Sequence, residues 1–157
     1  MPTDEGLHRE LTAKLVDAAI EAHRILGPGF VESVYETAFA HELDLRGIKY
    51  ERQKMIQIPY KGIQAGEHRL DLLIEGVVVV ELKAIKELTD VDLARMISYL
   101  KATNLEVGLF FNFAKPRMKD GIRRVARSQP ANLREFLCVL CVSAVYFFAS
   151  VRAVIRN

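Results

Sequence analysis

Two acidic residues and one lysine stand out within a segment that is otherwise strongly apolar. Asp71 lies in one apolar run, Glu75 and Gly76 interrupt it, and Glu81 and Lys83 lie at the end of a second run. A charged side chain among Val and Leu costs free energy unless another group pairs with it. We therefore predict that Asp71, Glu81 and Lys83 form a site for a divalent cation beside a phosphate group.

This site requires a particular geometry of the hairpin formed by residues 68–84. Side chains two positions apart on a strand share a face, so Glu81 and Lys83 point to the same side of the sheet. A two-residue turn ending before Val77 would place Asp71 on the opposite face from Glu81. One additional residue, in an odd-length loop or a bulge, brings the three side chains together. We therefore predict that the hairpin does not have a plain two-residue turn.

The three residue types suit a metal-activated water beside a phosphate group. The carboxylates of Asp71 and Glu81 are hard oxygen ligands suited to Mg²⁺ or Mn²⁺, and a main-chain carbonyl near Leu82 would add a third ligand. The cation would activate a water molecule and neutralise charge on the phosphate. Lys83 would orient that water or stabilise the developing negative charge. The alternative interpretation is a surface salt bridge between Glu81 and Lys83 on an edge strand.

Hydrophobic periodicity predicts the elements that must position these residues. In order, they are helices 7–26 and 31–46, a strand over 48–60, the hairpin 68–84, a helix over 89–103, a strand over 107–113, and a short helix or strand within 115–127. Pro59 indicates that the first strand lies at a sheet edge or contains a bulge. Helix 89–103 is expected to cross over between two parallel strands. The predicted fold class is α/β, bordering on α+β, with a mixed sheet of about four strands flanked by helices.

Several separated segments of the chain resemble one known family. Gly29-Phe-Val-Glu32-Ser-Val-Tyr35 is similar to the motif of the bacterial GxxExxY family, which is grouped with the PD-(D/E)XK nuclease superfamily. The other matching segments are Leu26–Gly29, Arg69–Asp71, Val80–Ala84, Ser98–Lys101 and Val107–Phe113. The resemblance implies a restriction-endonuclease-like core within residues 1–128, followed by a hydrophobic extension over residues 129–157.

The resemblance also implies roles for individual residues. Asp71, Glu81 and Lys83 would be the catalytic residues of a nuclease dependent on Mg²⁺ or Mn²⁺, with Asp71 and Glu81 as the metal ligands. Glu32 would be an auxiliary acidic residue that faces the same cleft. The alternative for Glu32 is a first-turn carboxylate that is stabilised by the helix dipole. Tyr35 would support the site from the core rather than take part in the chemistry.

Arg95 departs from the motif of related nucleases, which carry Q-x-x-x-Y on the helix after the E-x-K strand. The corresponding segment, Arg95-Met-Ile-Ser-Tyr99, keeps the tyrosine next to the site but replaces the glutamine. An arginine at this position can hold a phosphate with two hydrogen bonds or pair with Glu81. It can equally occupy the place of the metal and leave the site inactive. Two functions are therefore open: a nuclease, and a catalytically inactive nuclease fold that binds nucleic acid or protein.

The distribution of charge limits how the chain can bind nucleic acid. The formal net charge is +2, and residues 133–157 account for all of it, so residues 1–132 carry 19 basic and 19 acidic residues. A neutral body exerts no general attraction on nucleic acid, so contact requires a local patch. The candidate patch consists of Lys115, Arg117, Lys119, Arg123, Arg124 and Arg127. With it we expect nucleic acid as the partner, DNA in preference to RNA; a solvated basic face is the alternative.

Histidine and cysteine residues show no pattern of a further site. The four histidines, His8, His23, His41 and His68, lack metal-ligand spacing and are expected to be structural or exposed. His68 lies three positions from Asp71, which places it on the other strand face. Cys138 and Cys141 lie in apolar surroundings and are interpreted as buried thiols. The N-terminus lacks the apolar region of a secretion signal, so a cytoplasmic location is expected.

The C-terminal segment is unusually apolar. Residues 136–151 contain no charged side chain, and Gln129 and Pro130 before them indicate a domain boundary. The uncharged stretch is shorter than the roughly 20 residues that span a bilayer. We interpret it as a hydrophobic helix used in packing or in assembly of a homo-oligomer, with a membrane contact as the less favoured alternative.

Overall fold

The computed structural model describes residues 8–127. Within this range the helices are α1 (Arg9–Leu26), α2 (Glu32–Leu45) and α3 (Asp90–Thr103). The strands are β1 (Tyr50–Tyr60), β2 (Ile63–Ile74), β3 (Val78–Lys83), β4 (Val107–Asn112) and β5 (Ile122–Ala126), and a 3₁₀ turn covers Met118–Gly121. These elements lie in one compact unit that ends at Arg127.

The strands form one mixed sheet in the order β1-β2-β3-β4-β5. β3 and β4 are parallel and are joined by α3, while the other neighbours are antiparallel. This arrangement confirms the predicted α/β class and the crossover helix. The sheet has five strands rather than about four, because the segment predicted as a short helix or strand forms the 3₁₀ turn and then β5.

Local sequence explains the bounds of the crossover helix α3. The Thr89 side chain accepts a hydrogen bond from the Asp92 N–H, and the Asp92 carboxylate accepts one from the Thr89 N–H. This capping box pairs two N–H groups that the first helical turn leaves without partners. Asn104 ends the helix in the left-handed conformation, as Asn tolerates well. The predicted limits of this helix are thus confirmed.

Two hydrophobic layers cover the two faces of the sheet. One lies between the sheet and the pair α1 and α2, and it contains Leu72, Ile74, Val78, Val80 and Leu82 from the hairpin. The other lies between the sheet and α3, and it contains Leu70, Val79 and Phe110 from the strands. Residues 78–82 are buried, because β3 lies between β2 and β4 in the middle of the sheet. The interpretation of Glu81 and Lys83 as a surface pair on an edge strand is therefore wrong.

β1 and β2 change faces partway along their length. Tyr50 packs on the α1 and α2 side of the sheet, whereas Ile56 packs on the α3 side. In a regular strand these two residues would share a face, because they are an even number of positions apart. Leu72 and Leu70 on β2 differ in the same way. The change occurs where Gln53, with a φ of 51°, interrupts the ladder between its neighbours. A separate register shift between Ile58 and Pro59 on this edge strand confirms the expectation for Pro59.

The C-terminal expectations fall outside the described residues. These are the extension over residues 129–157, its role in assembly or at a membrane, and the buried state of Cys138 and Cys141. The boundary between residues 128 and 129 therefore stays a prediction. Among residues 8–127, every helix is too short or too polar to cross a bilayer.

Candidate active site

The loop between β2 and β3 sets the register on which the site depends. Ile74 pairs with Val78, so the loop contains the three residues Glu75, Gly76 and Val77. Glu75 and Gly76 both have positive φ angles, 49° and 71°. This odd-length loop is the geometry that the sequence required, and that prediction is confirmed.

Asp71 and Glu81 come together just beyond the last paired residues of the two strands. The ladder between β2 and β3 ends at Leu72 and Val80, so the same register puts Asp71 opposite Glu81. Glu81 Oε1 accepts a hydrogen bond from the Asp71 N–H at 3.3 Å. Asp71 Oδ2 accepts one from the Leu82 N–H at 2.9 Å. Side-chain oxygens thus take over the backbone partners that a continued ladder would have used.

Both carboxyl groups have unusual proton affinities. Burial, together with the nearby charge of Asp71, raises the pKa of Glu81 to about 7. Burial also raises the pKa of Asp71, although the hydrogen bond from Leu82 opposes the shift. Glu81 is only 4% exposed. A buried carboxyl group whose pKa is raised by burial and by a neighbouring carboxylate is a feature of functional sites, because a bound cation would relieve the unfavourable charge.

Lys83 lies between two carboxylates. Its Nζ is 3.6 Å from Glu81 Oε2 and 3.8 Å from Glu32 Oε1. The Lys83 side chain is largely buried, and the Glu32 side chain is about half exposed. Lys83 therefore connects the end of β3 with the first turn of α2, and Glu32 lies at the outer side of the cluster. The four acidic and basic residues predicted from the sequence, Asp71, Glu81, Lys83 and Glu32, are close together in the structure.

Tyr35 holds the segment that leads into α2. Its hydroxyl donates a hydrogen bond to the Gly27 carbonyl at 2.8 Å and accepts one from the Phe30 N–H at 3.0 Å. Its ring is fully buried and stacks on Phe113 with a centroid distance of 4.4 Å. These contacts fix the start of α2, and therefore the position of Glu32. The placement agrees with a supporting role for Tyr35 from the core.

Arg95 does not pair with Glu81 in this structure. Its Nη1 lies 3.7 Å from Asp92 Oδ1, one turn earlier on α3, and its side chain is 44% exposed. The guanidinium group therefore does not take the place of a metal between the two buried carboxylates. An exposed arginine at this position remains able to reach a phosphate.

His68 is a residue near the site that sequence reasoning missed. Its Nδ1 lies 3.0 Å from the Tyr99 hydroxyl, and the two ring centroids are 4.9 Å apart. The sequence argument placed His68 on the face away from Asp71 by regular alternation. That argument fails because β2 changes faces at this point, which turns residues before Asp71 toward α3. No local sequence signal predicts this change of faces, because glutamine rarely adopts the positive φ that Gln53 has in the structure.

The basic residues near the C-terminal end of the described region have different partners, so the basic patch stays a prediction. Lys115 pairs with Glu87, and Arg117 pairs with Asp120 at 2.8 Å. Arg123 and Arg124 are successive residues on β5, so their side chains leave opposite faces of the strand. Lys115 and Arg123 do line one cleft, which also contains Glu87 and Asp120. Arg127 donates a hydrogen bond to the Leu100 carbonyl, and Lys119 lies exposed in the 3₁₀ turn.

The donor set at Asp71 and Glu81 fits a small hard cation. Within residues 8–127, no group of three or more His, Cys, Asp or Glu side chains is arranged to hold a metal ion. Mg²⁺ is commonly bound through only one or two carboxylates, with water and substrate oxygens as the other ligands. Asp71 Oδ2 and Glu81 Oε1 accept backbone hydrogen bonds, so the second oxygen of each carboxylate is the one we assign to such an ion.

Comparisons with known proteins assign the family. A model of the PD-(D/E)XK nuclease superfamily matches residues 9–125, well over half of the chain. Neither the search of curated proteins nor the search of solved structures gives a match. The mixed sheet between helical layers agrees with the restriction-endonuclease-like core expected for this superfamily. The matched range contains every residue of the predicted site, and the chain therefore belongs to the PD-(D/E)XK nuclease superfamily.

Proposed function

We propose that this chain is a nuclease that depends on Mg²⁺ or Mn²⁺ and hydrolyses phosphodiester bonds of nucleic acid, DNA in preference to RNA. The observation that carries the proposal is the pair of adjacent carboxylates, the buried Glu81 and the partly buried Asp71, at the ends of two paired strands. Burying two acids together is unfavourable without a compensating cation. Lys83 alone does not compensate both, since the pKa of Glu81 still rises to about 7.

Asp71 and Glu81 would hold the cation in this proposal. When bound, the cation neutralises negative charge on the phosphate and lowers the pKa of the attacking water. Glu81 Oε1 keeps its hydrogen bond from the Asp71 N–H, and Asp71 Oδ2 keeps the one from Leu82. These bonds fix both carboxylates before substrate arrives, so little reorganisation is needed during the reaction.

Lys83 and Glu32 complete the proposed machinery. The Lys83 ammonium donates a hydrogen bond to the attacking water or to a phosphate oxygen, where negative charge develops as the new bond to phosphorus forms. Glu32 holds the ammonium from the outer side at 3.8 Å and is open to solvent. The Gly29, Glu32 and Tyr35 spacing supports the GxxExxY subfamily as part of this proposal. A cytoplasmic location belongs to the same proposal.

A catalytically inactive fold that binds nucleic acid is the second candidate, and Arg95 is the observation that favours it. The position usually filled by glutamine carries a positive charge in this chain. The contact of Arg95 with Asp92 rather than with Glu81 supports the active alternative.

Cleavage assays with matched variants distinguish the two candidates. The full-length chain is incubated with plasmid, single-stranded DNA and RNA in Mg²⁺ or Mn²⁺, beside Asp71→Asn and Glu67→Gln. Glu67 is an exposed carboxylate on the same strand, so its substitution controls for the loss of one charge. We expect cleavage by the wild type and Glu67→Gln and none by Asp71→Asn. Binding of DNA without cleavage would support the inactive fold, and cleavage that survives in Asp71→Asn would indicate a contaminant.

A further inference from the structure

The imidazole of His68 is held in one orientation by two hydrogen-bond donors. The Tyr99 hydroxyl and the Arg69 N–H each lie 3.0 Å from Nδ1. Tyr99 is 4% exposed, and burial together with the charge of Glu81 raises its pKa to about 12. The phenol therefore stays protonated at neutral pH and donates its hydrogen to Nδ1.

This arrangement determines which ring nitrogen carries the proton. A neutral imidazole has one N–H donor and one acceptor nitrogen. Nδ1 of His68 is the acceptor because the Arg69 N–H can only donate, and the Tyr99 hydroxyl, which could do either, then also donates to it. The proton is therefore on Nε2, whereas both hydrogen bonds of the ring within residues 8–127 are made at Nδ1. His68 is exposed, so a ligand can approach its ring.

The position of His68 relates it to the site already described. Tyr99 lies on α3, and its pKa responds to the charges of both Glu81 and Asp71. His68 is three residues before Asp71, on the part of β2 that faces α3. Three residues of a strand span roughly 10 Å, so His68 lies within reach of a phosphate next to one held at Asp71 and Lys83.

We propose that His68 binds the substrate strand, with its Nε2–H donating a hydrogen bond to a phosphate oxygen next to the reacting phosphate, and that Tyr99 is its positioning residue. The inference rests on the proposed function, because it takes nucleic acid as the ligand. It adds a contact outside both the acidic cluster and the basic residues of β5. If His68 and Tyr99 had only a structural role, the Tyr99 hydroxyl would need a hydrogen-bond acceptor and nothing more. Any acceptor side chain could then replace His68.

Binding of a fluorescent DNA strand to full-length variants tests this contact. Anisotropy is measured in Mg²⁺ for the wild type, His68→Phe, His68→Gln, Tyr99→Phe and the control His41→Phe, which changes an exposed histidine on α2. We expect His68→Phe to weaken binding roughly tenfold, since a hydrogen bond to a charged group is lost. His68→Gln offers an N–H donor and should stay within about twofold of the wild type. His41→Phe should bind as the wild type does.

Nitrogen NMR of the imidazole supplies a readout that does not depend on activity. We expect an unprotonated Nδ1 and a protonated Nε2 for His68 in the wild type, and a mixture of tautomers in Tyr99→Phe. A protonated Nδ1 in the wild type, or unchanged DNA affinity in His68→Phe, would overturn the inference and leave the nuclease proposal intact. Binding without cleavage would overturn only the proposed activity. A wild-type chain that neither binds nor cleaves DNA would overturn both proposals.

Discussion

The side chains of Asp71 and Glu81 each accept a hydrogen bond from the backbone of the other strand, at the point where the pairing of β2 and β3 ends. Glu81 Oε1 accepts the Asp71 N–H at 3.3 Å, and Asp71 Oδ2 accepts the N–H of Leu82, the residue after Glu81, at 2.9 Å. The carboxylates are thus oriented by the two strands that carry them, independently of any ligand. These hydrogen bonds lower the cost of holding the two acids side by side, and the raised pKa of Glu81 reflects the cost that remains.

The elevated pKa of Glu81 predicts how stability depends on pH in the absence of metal. Between its ordinary value near 4.5 and about 7, Glu81 is protonated when folded but ionised when unfolded. The folded state then binds more protons, so the free energy of unfolding falls as the pH rises through this range. The total fall is on the order of 3 kcal/mol. Denaturant unfolding in EDTA from pH 4.5 to 8 measures it.

A glutamine at this position should reduce that dependence. Glu81→Gln keeps the shape of the side chain but has no proton to lose, so its unfolding free energy should fall less steeply with pH, and the smaller fall that remains includes the contribution of Asp71. Glu67→Gln, an exposed carboxylate on β2, should keep the wild-type slope. An unchanged slope in Glu81→Gln would show that another group titrates.

Gly76 should be needed for the three-residue loop that sets the register. Its φ is 71°, and an added Cβ would meet no atom within 4 Å, so only backbone strain opposes a side chain. We expect Gly76→Ala to lower the free energy of unfolding by about 1 kcal/mol. Gly66→Ala is the matched control, because Gly66 is equally open but lacks a positive φ. Equal stabilities of the two variants would contradict this explanation of the loop.

Lys83 should matter for cleavage but not for cation binding. Lys83→Met removes the ammonium between Glu81 and Glu32 and leaves both carboxylates in place. We expect a loss of cleavage of roughly 100-fold or more, with metal affinity equal to or above that of the wild type. Lys86→Met, which changes an exposed lysine just after the strand, should cleave normally. A parallel loss of metal binding in Lys83→Met would instead assign the lysine a structural role.

Arg123 should contribute to nucleic acid binding through a phosphate contact. It lines the cleft with Lys115, whereas Lys115 itself is paired with Glu87. Arg123→Ala should weaken DNA binding for all sequences and reduce the slope of log K against log salt by about 1. Lys14→Ala, on the exposed face of α1, should leave the slope unchanged. An unchanged slope in Arg123→Ala would favour the solvated basic face.

Local signals in the sequence predicted most of the fold and the register that brings Asp71 next to Glu81. The capping residue Thr89, the edge position of Pro59 and the odd loop before Val78 each follow from chemistry within a few residues. The face change at Gln53 was not predictable, because its left-handed conformation comes from contacts distant in sequence, including a hydrogen bond to Glu36 at 2.8 Å. The approach of His68 to Tyr99 depends on that change and was missed with it.

The basic residues also show that contacts between residues distant in sequence are not predictable from local signals. Their clustering in sequence predicted a patch, but partners from elsewhere in the fold redirect them. Glu87 is 28 positions from Lys115, and the Leu100 carbonyl is 27 positions from Arg127. The order of residues along the chain does not reveal such pairs. In the folded domain, the predicted basic patch therefore rests on fewer side chains than the sequence suggested.

Binding of Mn²⁺ to the full-length chain at pH 8 tests the central claim most directly. Titration calorimetry is compared for the wild type, Asp71→Asn, Glu81→Gln and the control Glu67→Gln. We predict one ion bound by the wild type and by Glu67→Gln, and loss of binding in the other two variants, which should remain folded. Undiminished Mn²⁺ binding by Asp71→Asn and Glu81→Gln, or no binding by the wild type, would contradict the assignment of this pair as the metal site.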